Sequence, residues 1–286
     1  MKKLIPLILL LPFSLHAQIG GRHVYDFLSL TPAGRVISLG GVNVSTIDED
    51  VNFGYQNPAL VTDSMHKHVS LSFANYLADI GYGYASYSQK IEGIGNFHTG
   101  IHYVSYGKLQ GADEFGNLTG EFKAGEFAWV IGLSRPINRF HYGANLKFIS
   151  STLATGYSST GIAMDLGASY HSRDRLFSSG LVMRNLGAQL STYVDGAERE
   201  PLPFEVIMGM SVKLRYMPLR FSITATNLEH PNLIFVDPSP QPQFDLAGNL
   251  IEPENTTLDN LFRHFVFGGE FLLGNALRLR AGYNHL

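Results

Sequence analysis

The 286-residue chain contains no cysteine. That excludes a disulfide framework, a thiolate metal site and a cysteine-borne lipid anchor together. Charge is scarce too, with Asp, Glu, Lys and Arg making up 16% against the ~25% usual for soluble domains. The net charge of −3 gives no basic surface for nucleic acid. No later stretch approaches the ~18 uninterrupted apolar residues that a spanning helix needs. Serine and histidine are common, yet no Gly-x-Ser-x-Gly elbow or comparable nucleophile motif occurs. No enzyme and no cofactor are therefore expected; a triad assembled from distant loops is the one catalytic alternative.

What is present begins with an address. Residues 1–17 read as a cleaved secretory signal peptide: Lys2 and Lys3, an apolar run from Leu4 to Phe13, and Leu15-His16-Ala17 before the cut. The alternative, a transmembrane anchor, would have to cross ~30 Å, and this run is too short. The remainder is rich in Gly (30), Phe (19) and Tyr (14). Little charge, many aromatics and no long apolar run are the composition of a membrane β-barrel, whose lipid-facing and lumen-facing residues alternate and cancel.

From about residue 68 a period-2 alternation dominates. In "HYGANLKFIS", Tyr142, Ala144, Leu146 and Phe148 share one face, and His141, Asn145 and Lys147 the other. In "GIAMDLGASY", Ile162, Met164, Leu166, Ala168 and Tyr170 oppose Asp165. In "PFEVIMGMSVKLR", Phe204, Val206, Met208, Met210, Val212 and Leu214 oppose Glu205, Lys213 and Arg215. The same reading predicts strands near 68–76, 79–88, 95–106, 124–134, 177–185, 219–227, 264–272 and 276–284, making eleven. The strand charges, among them Glu126, Arg184, Arg220, Glu270, Arg278 and Arg280, all fall opposite the large apolar side chains. A secreted sandwich also alternates, but its outer face is usually densely charged. Here the apolar face carries extra Tyr, Phe and Trp129, as interfacial girdles do. The expected fold is an all-β, antiparallel transmembrane outer-membrane β-barrel over 66–286.

Connection lengths alternate between short turns ("RPINRF", "HSRDRL", "YMP", "GNA") and longer segments, such as "GKLQGADEFGNLTGEFK" and the 35 residues from 229 to 263. Outer-membrane barrels pair short periplasmic turns with long extracellular loops. The rhythm therefore puts the N-terminus in the periplasm. An eleventh strand would end at the cell surface, whereas single-chain bacterial barrels have even strand numbers. Either the count is off by one, or the natural chain continues past Leu286; a C-terminally incomplete barrel is the expectation.

Residues 18–65 precede the first strand and are rich in small residues. Gly40-Gly41 permits close backbone approach or positive φ. Asn57-Pro58 forces the asparagine out of the helical region and favours a tight turn. The segment reads as a hatch or plug at the periplasmic mouth; the alternative is a disordered leader.

These residues carry a family resemblance. Arg35-Val36, Leu39-Gly40-Gly41, Asp48, Asp50-Val51 and Gln56-Asn57-Pro58-Ala59-Leu60 resemble the N-terminus of the PorQ family, outer-membrane components of the type IX secretion system. The lead-in "GGRHVYDFLSL", "GEFKAGEFAW" (Gly120 to Trp129) and "LVMRNLG" (Leu181 to Gly187) are similar too. The Gly-Gly and Asn-Pro-Ala elements recur in the PorV family and in the wider FadL-like group of long-chain fatty acid transporters. The resemblance implies a fourteen-stranded FadL-like barrel, of which about eleven strands lie in this chain. It also implies a role in surface delivery or attachment of secreted cargo. The partners would be a PorV-like barrel, cargo-processing and attachment proteins, the cargo and outer-membrane lipid. Gly40, Gly41, Asn57, Pro58 and Ala59 are then structural hatch residues.

Other candidates are weaker. His98 and His102 share a strand face and His66 and His68 form a His-x-His, but no third and fourth ligand stand near, so no metal is expected. Asp113 to Leu118 and Asp245 to Leu250 share Asp-x-x-Gly-Asn-Leu, which suits a turn better than a calcium loop. The lumen charges could select a solute or simply pair with one another. In the 229–263 connection, Leu233, Ile234, Phe235, Leu261 and Phe262 are apolar and are the candidate partner-contact residues. Two functions compete: a secretion-system barrel working through protein contacts, and a FadL-like transporter of hydrophobic small molecules, which needs an apolar lumen pocket.

Overall fold

The computed structural model describes residues 23–31, 33–75, 80–234, 257–274 and 277–285. The signal-peptide reading, Phe235 and residues 245–250 lie outside the described residues. Eleven strands form one antiparallel sheet, each paired with its chain neighbours in sequence order. They are β1 (His68–Asn75), β2 (Gly81–Ile91), β3 (Gly95–Ala112), β4 (Leu118–Ile137), β5 (Phe140–Ala154), β6 (Tyr157–His171), β7 (Phe177–Ser191), β8 (Glu205–Lys213), β9 (Leu219–Ala225), β10 (Phe265–Leu273) and β11 (Leu277–Asn284). Among the described residues β1 and β11 each pair with a single neighbour.

The sheet is inverted relative to a soluble protein. Leu146, Phe148, Met164 and Met208 are exposed, Met208 at 49%. Across the backbone, Asn145, Lys147, Asp165 and Arg184 are buried. The alternation expected from sequence is therefore present, with the apolar face outward and the charged face inward. Exposing so many large apolar side chains to water would forfeit the burial term that normally drives folding.

Two features depart from expectation. The segment 107–123 is a continuation of β3 and β4 as a hairpin, turning at Asp113, whose side chain accepts hydrogen bonds from the backbone N–H groups of Phe115 (3.0 Å) and Asn117 (2.8 Å). Its flanking strands stop short: β2 begins opposite Ser105, and β5 pairs no further than Gly125 on β4. Both faces of the hairpin are thus wet and no apolar contrast marks its period. The connection after β5 is likewise only Thr155-Gly156, with Gly156 at φ +85°. Arg215 falls in the β8–β9 turn, not in a strand. The connections from β2 to β3, β4 to β5, β6 to β7, β8 to β9 and β10 to β11 are all five residues or fewer, defining a short-turn end. The longest connections leave β7 after Ser191 and β9 after Ala225, at the opposite, loop end.

Residues 23–66 fill the concave face and touch every strand. Asn52 bonds Ser70 on β1, the Met65 carbonyl accepts from Ser88 on β2, and Tyr55 meets His102 on β3. Ser134 on β4, Asn145 on β5 and Ser169 on β6 donate to the carbonyls of Val61, Gly54 and Ala59. Gln56 meets Arg184 on β7, Ser45 meets Ser211 on β8, and Asp48 meets Arg220 on β9 and Arg278 on β11. Arg35 reaches Glu270 on β10. A single segment contacting all eleven strands requires the sheet to curve around it. The segment is not confined to one mouth. Its first described residues pack at the loop end, where Tyr25 bonds Ser159 and Val24 N–H donates to the Pro201 carbonyl. Residues 62–66 reach the short-turn end.

Close approach is made possible by glycines on the strands. A Cβ at Gly180 would fall well inside contact with the Val44 carbonyl, one at Gly143 with the Pro58–Ala59 backbone, and one at Gly282 with the Leu39–Gly40 backbone. Gly180→Val should therefore lift the segment off β7 and cost roughly 1–3 kcal/mol, as overpacking does. Limited proteolysis of the folded protein should find new cleavage between residues 40 and 60; an unchanged digest would refute the close packing.

Candidate functional site

The interior is a polar core. Lys147 Nζ lies 2.9 Å from Asp165 Oδ1 and donates to Asn185 Oδ1 at 2.8 Å. It also sits 4.9 Å over the Tyr55 ring. Asp165 in turn accepts from Asn145 Nδ2 (3.0 Å) and from the Asn185 backbone N–H (2.9 Å). A buried pair repays its desolvation only when its remaining lone pairs and protons are satisfied, as most are here. Beside it, Arg184 pairs with Glu205 and reaches Gln56 of the segment. Tyr55 donates to the Leu28 carbonyl at 2.7 Å, which leaves its oxygen to accept from His102 Nδ1 at 2.9 Å. The expectation that the strand charges pair with one another holds for these groups.

A second cluster ties the segment to the last strands. α1 (Gly34–Ile37) presents Arg35, whose guanidinium contacts Asp48 (2.7 Å), Glu270 (3.1 Å) and Asp50 (3.7 Å). Arg220 bridges Asp48 (3.2 Å) and Glu270 (2.8 Å), and Arg280 donates to Glu270 at 2.8 Å. Burial alone would raise the Asp48 carboxyl, but the hydrogen bond and charge of Arg35 hold it well below the usual carboxylate range. Burial likewise opposes the Arg35 charge, and Asp48 and Glu270 more than offset it.

The predicted hatch residues all meet strands or support those that do. Gly40 and Gly41 have φ of +98° and +93°, and Gly40 lies under Val266 with no room for a Cβ. Asn57 is extended at φ −155°, and its side chain accepts from the Ala59 N–H (3.0 Å) and donates to the Val44 carbonyl (3.0 Å). Pro58 and Ala59 are buried against Gly143 and Gly167. The loop candidates are dispersed differently. Leu261 and Phe262 are half exposed on α3 (Thr257–Arg263), Phe262 standing 6.4 Å from the His285 ring. Asn260 on the same helix bonds the Leu233 N–H and the Pro231 carbonyl, so Leu233 and Ile234 lie beside it. His98 and His102 are buried in the interior, and among the described residues no cluster of three metal-ligating side chains forms.

Sequence reading missed the cavity of about 810 Å³ at the short-turn end. Asp48, Glu49 and Asp63 of the segment line it together with His141, His171 and Arg175 from the strands and turns. Its lining runs from Ile47 to Arg278, so no local motif announces it. Compared with known proteins, the chain matches no family model and no curated protein.

Arg35 and Asp48 generate a prediction. Arg35→Met removes one guanidinium from Asp48 and Glu270, which Arg220 still reaches, and should cost ~1.5–3 kcal/mol, as loss of a charged hydrogen bond does. The Asp48 contribution is complete above the ordinary carboxylate range near ~4 and is lost as pH falls through and below it. The thermal midpoint should therefore begin to drop below about pH 5 and keep falling as the pH is lowered further. Asp48→Asn should start lower at pH 6 and fall less; identical pH profiles for the two proteins would refute the anchoring role.

Proposed function

We propose that this chain is an outer-membrane β-barrel component of the type IX secretion system, acting through protein–protein contacts in delivery or surface attachment of secreted cargo. The observation that carries the membrane reading is the inverted sheet, with its exposed apolar face and buried charges. Aromatics edge that face at two levels. Phe140, Tyr142, Tyr170 and Phe177 cluster toward the short-turn end, with Phe140 and Tyr170 centroids 5.1 Å apart. Trp129 and Phe148 (6.0 Å) with Phe127 sit further along the strands. Phe127 and Ile137 lie ten residues apart on β4; at ~3.4 Å per residue and a ~40° tilt this spans ~26 Å, the height of a lipid-facing band. Under this reading the short turns face the periplasm and the loop end faces outward.

The PorQ resemblance of Gly20 to Leu60 supports the secretion role, and so does the filled interior. A working transporter of hydrophobic molecules would need an apolar pocket. The cavity beside the segment is lined mainly by polar and charged groups, among them Asp48, Asp63, His141, His171 and Arg175, with Ile47, Leu176 and Phe177 a minority. Surface contact then falls to the loop end, where the β3–β4 hairpin presents Phe115 at 82% exposure and α3 presents Leu261 and Phe262.

Two measurements test this reading. Met208→Arg places a charge on the exposed apolar face and should cost ~2–4 kcal/mol at a bilayer midplane. Assembly into heat-modifiable, detergent-extracted protein should fail; a variant that stays folded and soluble without detergent would refute the membrane reading. Ser211→Arg, on the inner face, should be no milder, because Ser211 is buried and bonds Ser45 (2.7 Å) and Thr46 (3.1 Å). Deleting the gene should trap or misdeliver exported cargo while fatty acid uptake is unchanged. The opposite pattern would favour the transporter.

A further inference from the structure

The two ends of the sheet differ sharply in charge. Among the described residues, connections at the loop end carry Asp113, Glu114, Asp195, Glu198, Glu200, Glu229 and Asp259 against Arg199 and Arg263. Connections at the short-turn end carry Arg139, Arg173, Arg175 and Arg215 against Glu92 and Asp174, and Arg135 stands two residues before the end of β4. Among the described residues, the side chains of Arg135, Arg139 and Arg173 have no carboxylate partner, whereas Arg215 is held 3.0 Å from Asp174. These turns are joined. The His171 N–H donates to the Arg139 carbonyl at 3.1 Å, and the Lys213 N–H donates to the Leu176 carbonyl at 2.7 Å. The turns that carry Arg139, Arg173 and Arg215 therefore lie side by side along the short-turn end.

This end borders the aromatic cluster. Arg135 is the cross-strand partner of Tyr142 and is exposed on the same outer face. Phe140 stacks on Tyr142 at 6.4 Å, and Tyr170 contacts Phe177 at 6.4 Å. Unpaired guanidiniums at the edge of an exposed aromatic and aliphatic surface suit a ligand with an anionic head and apolar tails. Guanidinium forks match phosphate oxygens bidentately.

We propose that Arg135, Arg139 and Arg173 form a seat for anionic diacyl phospholipid, with the phosphate on the guanidiniums and the acyl chains against Phe140, Tyr142 and Tyr170. The inference rests on the membrane reading above. It adds a lipid class, a leaflet (the one on the short-turn side) and a set of residues. Charge complementarity and continuity with the apolar band select lipid over an acidic protein, which would not need the adjoining aromatics.

The test uses the full chain reconstituted in phosphatidylcholine vesicles, with trace spin-labelled phosphatidylglycerol or spin-labelled phosphatidylcholine as probe. Electron spin resonance reads the fraction of each probe immobilised at the protein surface. A several-fold preference for phosphatidylglycerol is expected. It should collapse in the Arg135→Gln, Arg139→Gln, Arg173→Gln triple variant and survive Lys108→Gln with Lys123→Gln at the other end. Should the triple variant not assemble, the wild-type preference falling in 0.5 M salt serves the same purpose, because exposed charges are screened within a few ångströms at high ionic strength. Equal immobilisation of both probes by the wild type would overturn the lipid seat while leaving the membrane reading intact. Failure to immobilise either lipid would overturn both.

Discussion

The structure depends on one constraint: a sheet that turns its charged face inward must pair the charges it buries. Lys147, Asp165, Arg184 and Glu270 are all buried, and an unpaired charge in such a place is among the costliest defects a protein can carry. Strand-to-strand pairs meet part of the need, as with Lys147 and Asp165. The rest comes from residues 23–66, whose exposed carbonyls and short helical turns accept from Ser134, Asn145 and Ser169 on three successive strands. An irregular segment suits this work because a regular helix would have spent its carbonyls internally.

The glycine distribution follows from the same constraint. Where the segment runs against a strand, the strand supplies glycine: at Gly143, Gly180 and Gly282 backbone lies on backbone, and at Gly167 the Asn57 and Pro58 side chains fill the space. The Asn57-Pro58-Ala59 turn sits across two of these sites, which explains why that short motif is so tightly specified in size: the asparagine must be extended, and the proline and alanine must fit over Gly143. The Arg35 cluster does for β9 to β11 what these glycines do for β5 to β7, by charge instead of by contact.

The strand pattern was legible in the sequence wherever one face is buried and the other is apolar. Period-2 contrast located all eleven strands, and the opposition of Lys147 to Leu146 and Phe148 revealed the two faces. The β3–β4 hairpin past Ser105 was not legible, because both of its faces are wet and alternation carries no signal there. The route of the N-terminal segment was hidden for another reason. Gly40-Gly41 and Asn57-Pro58 announce close approach and a turn, but nothing in a sequence says which distant strand lies beneath. The cavity at the short-turn end was invisible on the same ground, being assembled from the segment and from turns far along the chain.

The reach of Arg35 has a kinetic consequence. Its carboxylate partner Glu270 is separated from it by 235 residues, and Gly40 packs on β10 and β11. The segment is made before the strands, yet Arg35 can meet Glu270 only once β10 has been made. Contacts of such high sequence separation are slow to form. Until then Arg35 has only Asp48 and Asp50 of its own segment, and the early strands would curve around an interior that is held at one side and loose at the other. Seating of the segment on β10 and β11 thus follows its seating on the earlier strands.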